Sequence, residues 1–322
     1  MKQFVIAEND AHQRLDKFMQ KAAPALPPAL LYKALRTKRI KRNKRRAEGS
    51  DRLRPGDVID CWLPEELFEP PAYQFDFLGA DTRLDVLYED ERMLLLNKPA
   101  GLLAHPGEGE YVDTLLGRLQ RYLYEKGEYH PARENAFAPA LCNRIDRNTQ
   151  GIVVAAKTAE ALRDLGEKIR LRGIQKFYLC VVHRNQGLGS RNQGLGIRDQ
   201  ETDGWVELRH WLLKDQAKSI VKVYDSPREN AKESVLKYRL LQEKNGLALL
   251  EVELLTGRTH QIRAQLAHIG HALVGDGKYA PRAQYQADRA NGYRRQCLCA
   301  WRLVLDDIDV TVPEVPFVKE LF

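Results

Sequence analysis

The stretch LLTGRTHQIRAQLAHIGHALVGDGKY, residues 254–279, contains the most informative succession of strand, turn and helix signals in the 322-residue chain. The apolar run LALLEVELL (247–255) overlaps its start and predicts a strand that ends at a Thr-Gly turn. A helix is predicted next, because three apolar residues recur at helical spacing: Ile262, Leu266 and Ile269. This order places Arg258 and Arg263 at the mouth and in the first turns of the helix.

A lone carboxylate between two arginines marks a second segment, NRIDRNTQG (143–151). Asp146 lies between Arg144 and Arg147, directly ahead of the apolar run GIVVAAK, which predicts a strand. Three interpretations are open: a surface turn with two ion pairs, a metal loop, or a reactive group. The spacing imitates the first half of a calcium loop, but Lys157 stands at the twelfth position, where such a loop requires an acid. Calcium binding is therefore excluded.

Strands and helices alternate around these two segments. RMLLLNKPAGLLAHPG (92–107) predicts a strand followed by a Lys-Pro-Ala-Gly turn and a His-Pro-Gly turn. TAEALRDLGEKIRLRG (158–173) predicts a helix that Thr158 caps and Gly173 ends. KFYLCVV, which contains Tyr178, predicts the next strand. The alternation indicates a mixed domain of helices and strands, large enough for an enzyme.

Positive charge is concentrated at the N-terminal end of the chain. Residues 1–63 contain 15 Lys and Arg against 7 Asp and Glu, whereas the whole chain has a formal net charge of +7. The run KALRTKRIKRNKRR (33–46) contains nine basic residues and no acid. A solvated charged face is one interpretation of this run. The density of cations favours contact with a phosphate backbone instead.

The same region predicts a small folding unit. Four apolar residues recur at helical spacing and predict a first helix: Leu15, Phe18, Met19 and Ala22. Pro28 is suited to start a second helix, and the segments KRIKRN and RPGDVIDCW predict strands. This succession, over about residues 12–63, resembles the alpha-L RNA-binding motif, which is named after a small-subunit ribosomal protein.

The resemblance implies an RNA-binding domain at residues 1–63, followed by a proline-containing linker at 64–84 and a catalytic domain at 85–322. In the alpha-L motif, the second helix and the adjoining strand present cations to structured RNA. The RNA-binding residues expected here are Lys33, Arg36, Lys38, Arg39, Lys41 and Arg42.

Several classes of protein lack support in the sequence. No apolar run approaches the ~20 residues of a membrane helix, and the start MKQFVIAEND has no signal-peptide pattern. Five cysteines without CxxC spacing indicate reduced thiols, so we expect a cytoplasmic protein with no membrane partner. The motif HExxH is missing, and we expect His260, His268 and His271 to be structural. The duplicated hexapeptide RNQGLG predicts a flexible loop.

Four motifs, in order, resemble the pseudouridine synthases of the RluA type over residues 85–305: RMLLLNKPAGLLAHPG, NRIDRNTQG, KFYLCVV and LLTGRTHQIRAQLAHIGHALVGDGKY. The family patterns are HRLDxxTSG, KxYxA and TGRxHQIRxxxxxxGxPxxGDxxY. The resemblance implies an α+β fold with a mixed, largely antiparallel sheet. It also implies isomerisation of specific uridines in structured RNA, with large-subunit ribosomal RNA favoured over transfer RNA, and neither cofactor nor metal. A monomer is expected by default.

The resemblance also implies roles for individual residues. Asp146 matches the aspartate that begins cleavage of the glycosidic bond, and Tyr178 matches the tyrosine that packs on the target base. Arg263 is the expected partner of the aspartate, ahead of Arg258. Four residues of the second and fourth motifs are expected to contact RNA: Arg144, Arg147, Thr149 and Arg258.

The segment NRIDRNTQG departs from the family pattern: Asn143 replaces the usual His, Gln150 replaces the usual Ser, and Ile145 is a mild change from Leu. These changes leave Asp146 in place, so we expect an active enzyme of a divergent subgroup. The alternatives are a synthase directed at transfer RNA, and an inactive RNA-binding or ribosome-assembly factor that keeps the fold.

Overall fold

The computed structural model describes residues 1–69, 76–107, 109–184, 204–215 and 219–322. Apart from Arg184, the RNQGLG duplication lies outside these residues. The helices are α1 Leu15–Ala22, α2 Pro28–Arg36, α3 Leu115–Glu125, α4 Ala159–Arg170, α5 Gln261–His268, α6 Arg282–Ala290 and α7 Pro316–Leu321.

Fifteen strands are found in the described part of the chain. They are β1 Lys2–Val5, β2 Ile40–Arg42, β3 Arg45–Arg46, β4 Val58–Cys61, β5 Val86–Glu89, β6 Met93–Lys98, β7 Ala140–Leu141, β8 Gln150–Ala156, β9 Ile174–His183, β10 Val206–Asp215, β11 Ile220–Tyr224, β12 Lys232–Lys244, β13 Leu247–Leu254, β14 Leu298–Leu305 and β15 Ile308–Thr311.

A small antiparallel sheet and two helices occupy the N-terminal region. The strand order is β1-β4-β2-β3, and α1 and α2 cover the sheet with their apolar sides. Phe18 of α1 is fully buried, and its ring meets that of Phe4 edge to face at 5.5 Å. The helical spacing in the sequence thus corresponds to one continuous core, which joins residues between Phe4 and Leu63.

Hydrogen bonds of side chains join this N-terminal region to the larger part of the molecule. Asn9 Oδ1 accepts a hydrogen bond from the first backbone N–H of α4, at Ala159 (3.2 Å). Arg163, further along α4, donates to the carbonyl of Ala11 (3.2 Å). On a second side, Asn135 Nδ2 donates to Asp10 Oδ2 (2.7 Å).

Eleven strands form one large sheet in the order β11-β10-β12-β13-β9-β14-β8-β6-β5, with β15 paired to β14 and β7 paired to β8. Among the described strands, only β8 and β14 pair in parallel. Helices α3 and α4 pack near β8, and α5 packs near β10 and β11. The predicted α+β fold with a mixed, largely antiparallel sheet is confirmed.

Gly151 is required where β8 meets β14. Its φ is +116°, and a Cβ at this position would lie 2.2 Å from the carbonyl oxygen of Ala300. A side chain at this position is excluded by the neighbouring backbone, because real Cβ atoms do not approach oxygen so closely. The glycine of NRIDRNTQG therefore allows the Asp146 loop to lead directly into the centre of the sheet.

Helix α4 agrees with prediction at its start and differs at its end. The hydroxyl of Thr158 accepts a hydrogen bond from the N–H of Ala161 (3.1 Å), as expected for a cap. The prediction that Gly173 ends the helix is wrong, because Arg172 takes the left-handed conformation there (φ +61°). The glycine comes one residue later, and its N–H bonds the carbonyl of Lys168 (2.8 Å).

Both described ends of the segment predicted as a linker pack against a core. The ring of Phe68 lies 5.8 Å from that of Phe4 in the N-terminal region. Phe77 is buried with the apolar side of α3, and its ring contacts those of Tyr124 and Tyr129.

Within the residues described, no helix has the length and apolar character needed to cross a membrane.

Candidate active site

All four sequence motifs meet at one cavity of about 550 Å³. Its wall includes residues 103–107 after β6, the Asp146 loop, two residues of β9, and the segment 254–263 that ends β13 and begins α5. Motifs far apart in sequence thus form a single concave site, which is the usual form of a site that binds a small group.

The start of α5 is shaped by its own side chains. Gln261 Oε1 accepts hydrogen bonds from the N–H of Arg258 (3.0 Å) and the hydroxyl of Thr256 (2.9 Å). That hydroxyl oxygen in turn accepts a bond from the N–H of Val235 on β12 (2.9 Å). His260 precedes the helix in the left-handed conformation, with φ of +52°. These bonds hold the helix start against the sheet and thereby orient the side chains of its first turn.

The predicted contact between Asp146 and Arg263 is present. Arg263 Nη1 donates to Asp146 Oδ2 at 2.6 Å. The other side of the guanidinium is held by Asp276, since Nε and Nη2 donate to its two carboxylate oxygens at 2.7 and 2.8 Å. Asp276 is fully buried, whereas the Asp146 side chain keeps 28% of its surface exposed, toward the cavity. Asp276 therefore anchors the guanidinium and Arg263 presents one edge of it to Asp146.

Charge stabilises this arrangement. Burial lowers the pKa of Arg263, but the hydrogen bonds and charge of Asp276, with the charge of Asp146, outweigh it and leave the pKa above its ordinary value. Burial raises the pKa of Asp276, and its bonds with Arg263 outweigh this and hold the pKa below its ordinary value. The guanidinium is therefore permanently charged beside both carboxylates.

Tyr178 lies on β9 in the cavity wall, as the sequence predicted. Only 6% of the residue is exposed. Burial, followed by the negative charge of Asp146, raises the pKa of its hydroxyl, so the phenol remains neutral at physiological pH. A neutral aromatic side chain next to a carboxylate is suited to contact a planar base.

His260 is a cavity residue that the sequence analysis assigned to structure alone. Its Nε2 lies 3.9 Å from Asp146 Oδ2, and its Nδ1 is 2.8 Å from the hydroxyl of Tyr279. Burial lowers the pKa of the imidazole, which is therefore neutral near pH 7. Its place in the motif TGRTHQIR, two residues after Arg258, was the signal for a site residue.

Lys98, at the end of β6, was also missed. It is fully buried, and its Nζ donates to the carbonyls of Pro99, Leu102 and Arg147 at 3.0, 2.8 and 2.9 Å. Burial lowers its pKa to about 7, against the opposing influence of the Asp146 charge. The lysine thus joins the Lys-Pro-Ala-Gly turn to the loop that carries Asp146.

The remaining residues predicted from the motifs differ in position. Arg144 and Arg258 are exposed at the cavity rim. Arg147 is also exposed, but its Nε donates to the carbonyl of Gly101 (3.0 Å), so it also shapes the loop. Thr149 also lines the cavity, although it is 2% exposed and its hydroxyl oxygen accepts a hydrogen bond from Gln296 Nε2 (3.3 Å), and its contact with RNA stays a prediction.

Asn143, which replaces the usual His, makes a supporting contact, whereas nothing in the structure explains Gln150 in place of the usual Ser. Asn143 Oδ1 accepts a hydrogen bond from the N–H of Val154 at 2.8 Å, which fixes the start of the Asp146 loop against β8. Gln150 Nε2 donates to the carbonyl of Glu314 at 3.4 Å, a long contact on a partly exposed side chain. Asn143 thus supports the loop, and Gln150 contributes little.

Comparison with known proteins agrees with this geometry. The family model described as RNA pseudouridylate synthase matches residues 92–268, more than half of the chain. The chain belongs to this family. It is an RNA pseudouridine synthase, and the motifs that form its cavity are those that suggested the family from sequence.

The relatives of this synthase include ribosomal enzymes. Ribosomal large subunit pseudouridine synthase C of Vibrio cholerae is 30% identical over 296 residues, which are 87% of this chain and 81% of that protein. Ribosomal large subunit pseudouridine synthase D of Nitrosomonas europaea is 33% identical over 228 residues, 69% of this chain and 58% of that protein. The solved structure of human RNA pseudouridylate synthase domain containing 1 shares the fold, with a TM-score of 0.54 at 21% identity, covering 79% of this chain and 89% of that one.

Most of the N-terminal cations predicted to bind RNA lie on the surface of the synthase. Four of them are exposed: Lys33, Arg36, Lys38 and Arg39. Lys41 is half-buried, with its Nζ 5.0 Å from the centre of the exposed Trp62 ring. Arg42 is half-buried, and its Nη2 lies 2.7 Å from the buried carboxylate of Asp57. Its contact with RNA stays a prediction.

Proposed function

We propose that this synthase isomerises specific uridines of large-subunit ribosomal RNA, with Asp146 as the residue that begins the reaction. The observation that carries the proposal is the 2.6 Å contact between Asp146 and Arg263 at a cavity that also exposes Tyr178. A part-exposed carboxylate, held by a buried and anchored cation, is the group in this cavity best suited to react with a sugar.

The contribution of Arg263 is electrostatic and geometric. A carboxylate acts as a nucleophile or as a base only in its ionised form, and a cavity that excludes water favours the neutral form. The guanidinium opposes this effect by stabilising the negative charge of Asp146. Because Asp276 holds Arg263 by two bonds, the cation keeps its position while the carboxylate reacts.

The target base has to leave the RNA stack to reach Asp146, as in other enzymes that act on bases. Tyr178 supplies a face on which the uracil packs, and the cavity volume of about 550 Å³ accommodates a single nucleotide. Arg144 and Arg258 at the rim are placed to bind the flanking phosphates.

The reaction conserves all atoms of the substrate. The bond between ribose C1′ and uracil N1 breaks, a bond between C1′ and C5 forms, C5 loses a proton and N1 gains one. Asp146 begins the cleavage by attack at C1′ or by removal of a ribose proton to give a glycal. In both routes the cavity must stabilise the charge that uracil acquires as the bond breaks. The isomerisation has no redox step.

The substrate class is inferred from the relatives and from the N-terminal region. The relatives in Vibrio cholerae and Nitrosomonas europaea are named for the ribosomal large subunit. We assign residues 1–63 to an alpha-L RNA-binding domain, 64–84 to a linker and 85–322 to the catalytic domain. The working compartment we infer is the cytoplasm, where ribosomal RNA is modified, and the working form is a monomer.

The experiment compares pseudouridine maps of total RNA from cells with and without the protein, using carbodiimide labelling and primer extension. A site in large-subunit RNA that disappears, returns with wild type and does not return with Asp146→Asn is the expected result. The control is Asp309→Asn, which removes a carboxylate at the exposed pair with Arg302. Loss of a transfer RNA site would refute the substrate, and restoration by Asp146→Asn would refute the role of Asp146.

A further inference from the structure

Three donor side chains converge outside the active site, at the exposed edge of the large sheet. His210 lies on β10, Asp225 directly follows β11, and His268 is the last residue of α5. His268 Nε2 is 2.7 Å and His210 Nε2 is 3.7 Å from the same oxygen, Oδ1 of Asp225. The three ligand atoms all lie within 4.8 Å of one another. Sequence spacing alone did not reveal this group, because each residue comes from a different element.

The distances are close to those of a tetrahedral metal site. Metal–nitrogen and metal–oxygen bonds of about 2.0–2.2 Å place two donors of a tetrahedron about 3.3 Å apart. The contact of His210 with Asp225 therefore has to shorten slightly, and the contact of His268 with Asp225 has to open. The side chain of Asp225 is 80% exposed, so its carboxylate has room for this adjustment.

The environment of His210 prepares its Nε2 for binding. Nδ1 of His210 lies 2.9 Å from Gln265 Nε2, which also donates to the carbonyls of Leu208 (3.4 Å) and Ser234 (3.3 Å). Oε1 of this amide is buried and has no hydrogen-bond partner among the described residues. Metal binding through Nε2 of His210 requires a half-turn of the amide, which exchanges the two long contacts with the carbonyls for a hydrogen bond from Nδ1–H to Oε1.

We propose that His210, Asp225 and His268 form a site for a divalent transition metal of the zinc class, with solvent in the remaining coordination position. Two imidazoles and one carboxylate suit zinc, cobalt, nickel or copper, whereas magnesium and calcium prefer sites made of oxygen. A simple ion pair between Asp225 and His268 explains their contact. It does not explain why the ring of His210 also approaches that oxygen, at 5.1 Å from the ring of His268.

A bound ion would join three elements behind the active site. Helix α5 also carries Arg263, and β11 contacts the active site through Tyr279, whose hydroxyl accepts the N–H of Val221 (2.9 Å) and lies 2.8 Å from His260 Nδ1. The metal would therefore restrain the elements that hold Arg263 and His260, while remaining outside the cavity. We infer a stabilising role for the ion.

The test measures metal binding to the 322-residue protein without RNA, so its outcome is independent of uridine isomerisation. Purified, metal-free protein is titrated with Co²⁺, followed by its visible absorption, and with Zn²⁺, followed by calorimetry. One equivalent is expected to bind to wild type and to raise the midpoint of thermal unfolding. Loss of a residue that only supports a metal ligand typically weakens metal binding by up to ~100-fold. Loss of a ligand itself should weaken it at least as much, so Asp225→Asn and His268→Asn are each expected to weaken metal binding at least ~100-fold.

The matched control is His12→Asn, which replaces an exposed histidine of the N-terminal region. His12 has φ of +63°, a conformation that asparagine tolerates, so this variant should fold and bind metal as wild type does. Circular dichroism checks that Asp225→Asn, a change at a mostly exposed side chain, keeps the fold. Equal affinity of wild type and both ligand variants would overturn the proposal, as would a wild type that binds neither ion.

Discussion

The cavity and the N-terminal basic surface use positive charge in opposite ways. In the cavity, Arg263 is 5% exposed and is fixed between two carboxylates at 2.6–2.8 Å. On the N-terminal surface, Lys33, Lys38 and Arg39 extend into solvent. Buried, paired charge sets the geometry of a few atoms, whereas exposed charge attracts a phosphate backbone over a longer range and is screened by salt. Chemistry and RNA affinity should therefore respond to different substitutions.

The largest effect is expected from Asp276→Asn, which removes one charge behind Arg263. In the variant, an amide NH₂ group replaces one carboxylate oxygen, so a hydrogen-bond donor faces the guanidinium. Breaking a buried ion pair in this way typically lowers the unfolding free energy by about 3–5 kcal/mol. A displaced Arg263 should also lower kcat by roughly 10²-fold, because small errors in position are costly in catalysis. Urea unfolding and single-turnover kinetics measure the two effects.

The control for this variant is Asp309→Asn. Arg302 also donates two hydrogen bonds to the carboxylate of Asp309, at 2.9 and 2.6 Å, but this pair lies at the surface. The unfolding free energy of Asp309→Asn should stay within about 1 kcal/mol of wild type, because exposed pairs contribute little. Similar losses in the two variants would contradict the distinction between the cavity and the surface.

Lys98→Met tests the buried lysine that joins the two loops. Three carbonyls lose their hydrogen-bond donor, so the unfolding free energy should fall by about 1–3 kcal/mol. The control is Lys232→Met, which changes an exposed lysine and should have little effect on the unfolding free energy.

The dependence on pH follows from the same lysine. Burial lowers the pKa of Lys98 from 10.5 to about 7, so between these values the unfolded chain binds a proton that the native protein does not. Wild-type stability should therefore rise with pH across this window relative to Lys98→Met. Parallel stability curves from pH 7 to 10 would show instead that the three carbonyls keep the ammonium charged.

On the N-terminal surface, the combined change of Lys33, Lys38 and Arg39 to Ala should weaken RNA binding by roughly tenfold or more at moderate salt. The slope of log K against log salt should fall by about 0.7–0.9 for each phosphate that the protein no longer neutralises. The single-turnover rate at saturating RNA should not change, because the cavity is untouched. Exchanging Lys for Arg and Arg for Lys at the same three positions keeps the charge and should preserve the slope.

The smallest effect is expected from Gln150→Ser, which restores the residue usual in the family. The side chain makes only a 3.4 Å contact with the carbonyl of Glu314, so the unfolding free energy should change by less than about 0.5 kcal/mol. Kinetics should match wild type within about twofold, as expected for a surface change. A strong gain or loss of activity would show that position 150 contacts RNA.

The sequence predicted most of the fold because periodicity and caps act locally. The helix capped by Thr158 and the helix that begins at Pro28 are both present, since neither depends on distant residues. The end of α4 was misplaced, because the left-handed position falls on Arg172 (φ +61°), whereas glycine is the residue that usually takes this position.

Only the site residues that stand at defined positions of the family motifs were predicted from the sequence. Asp146, Tyr178 and Arg263 were named together because each stands in a separate motif, and the structure brings all three to one cavity. Lys98 and Asp276 were missed, since nothing local distinguishes a buried charge from an exposed one. Lys98 bonds the carbonyl of Arg147, 49 residues away, in addition to two carbonyls close in sequence. Asp276 bonds Arg263, 13 residues away, so only the fold reveals these contacts.

Asn9 and Arg163 link the two parts of the molecule, since the side chain of each bonds the backbone of the other part. Under the proposal that the N-terminal lysines bind RNA, these bonds restrict how far the lysines can move from Asp146. The RNA would then have to present its uridine at a matching distance from the segment that the lysines bind. Its length and bend, as well as the bases beside the uridine, would therefore affect which site is modified.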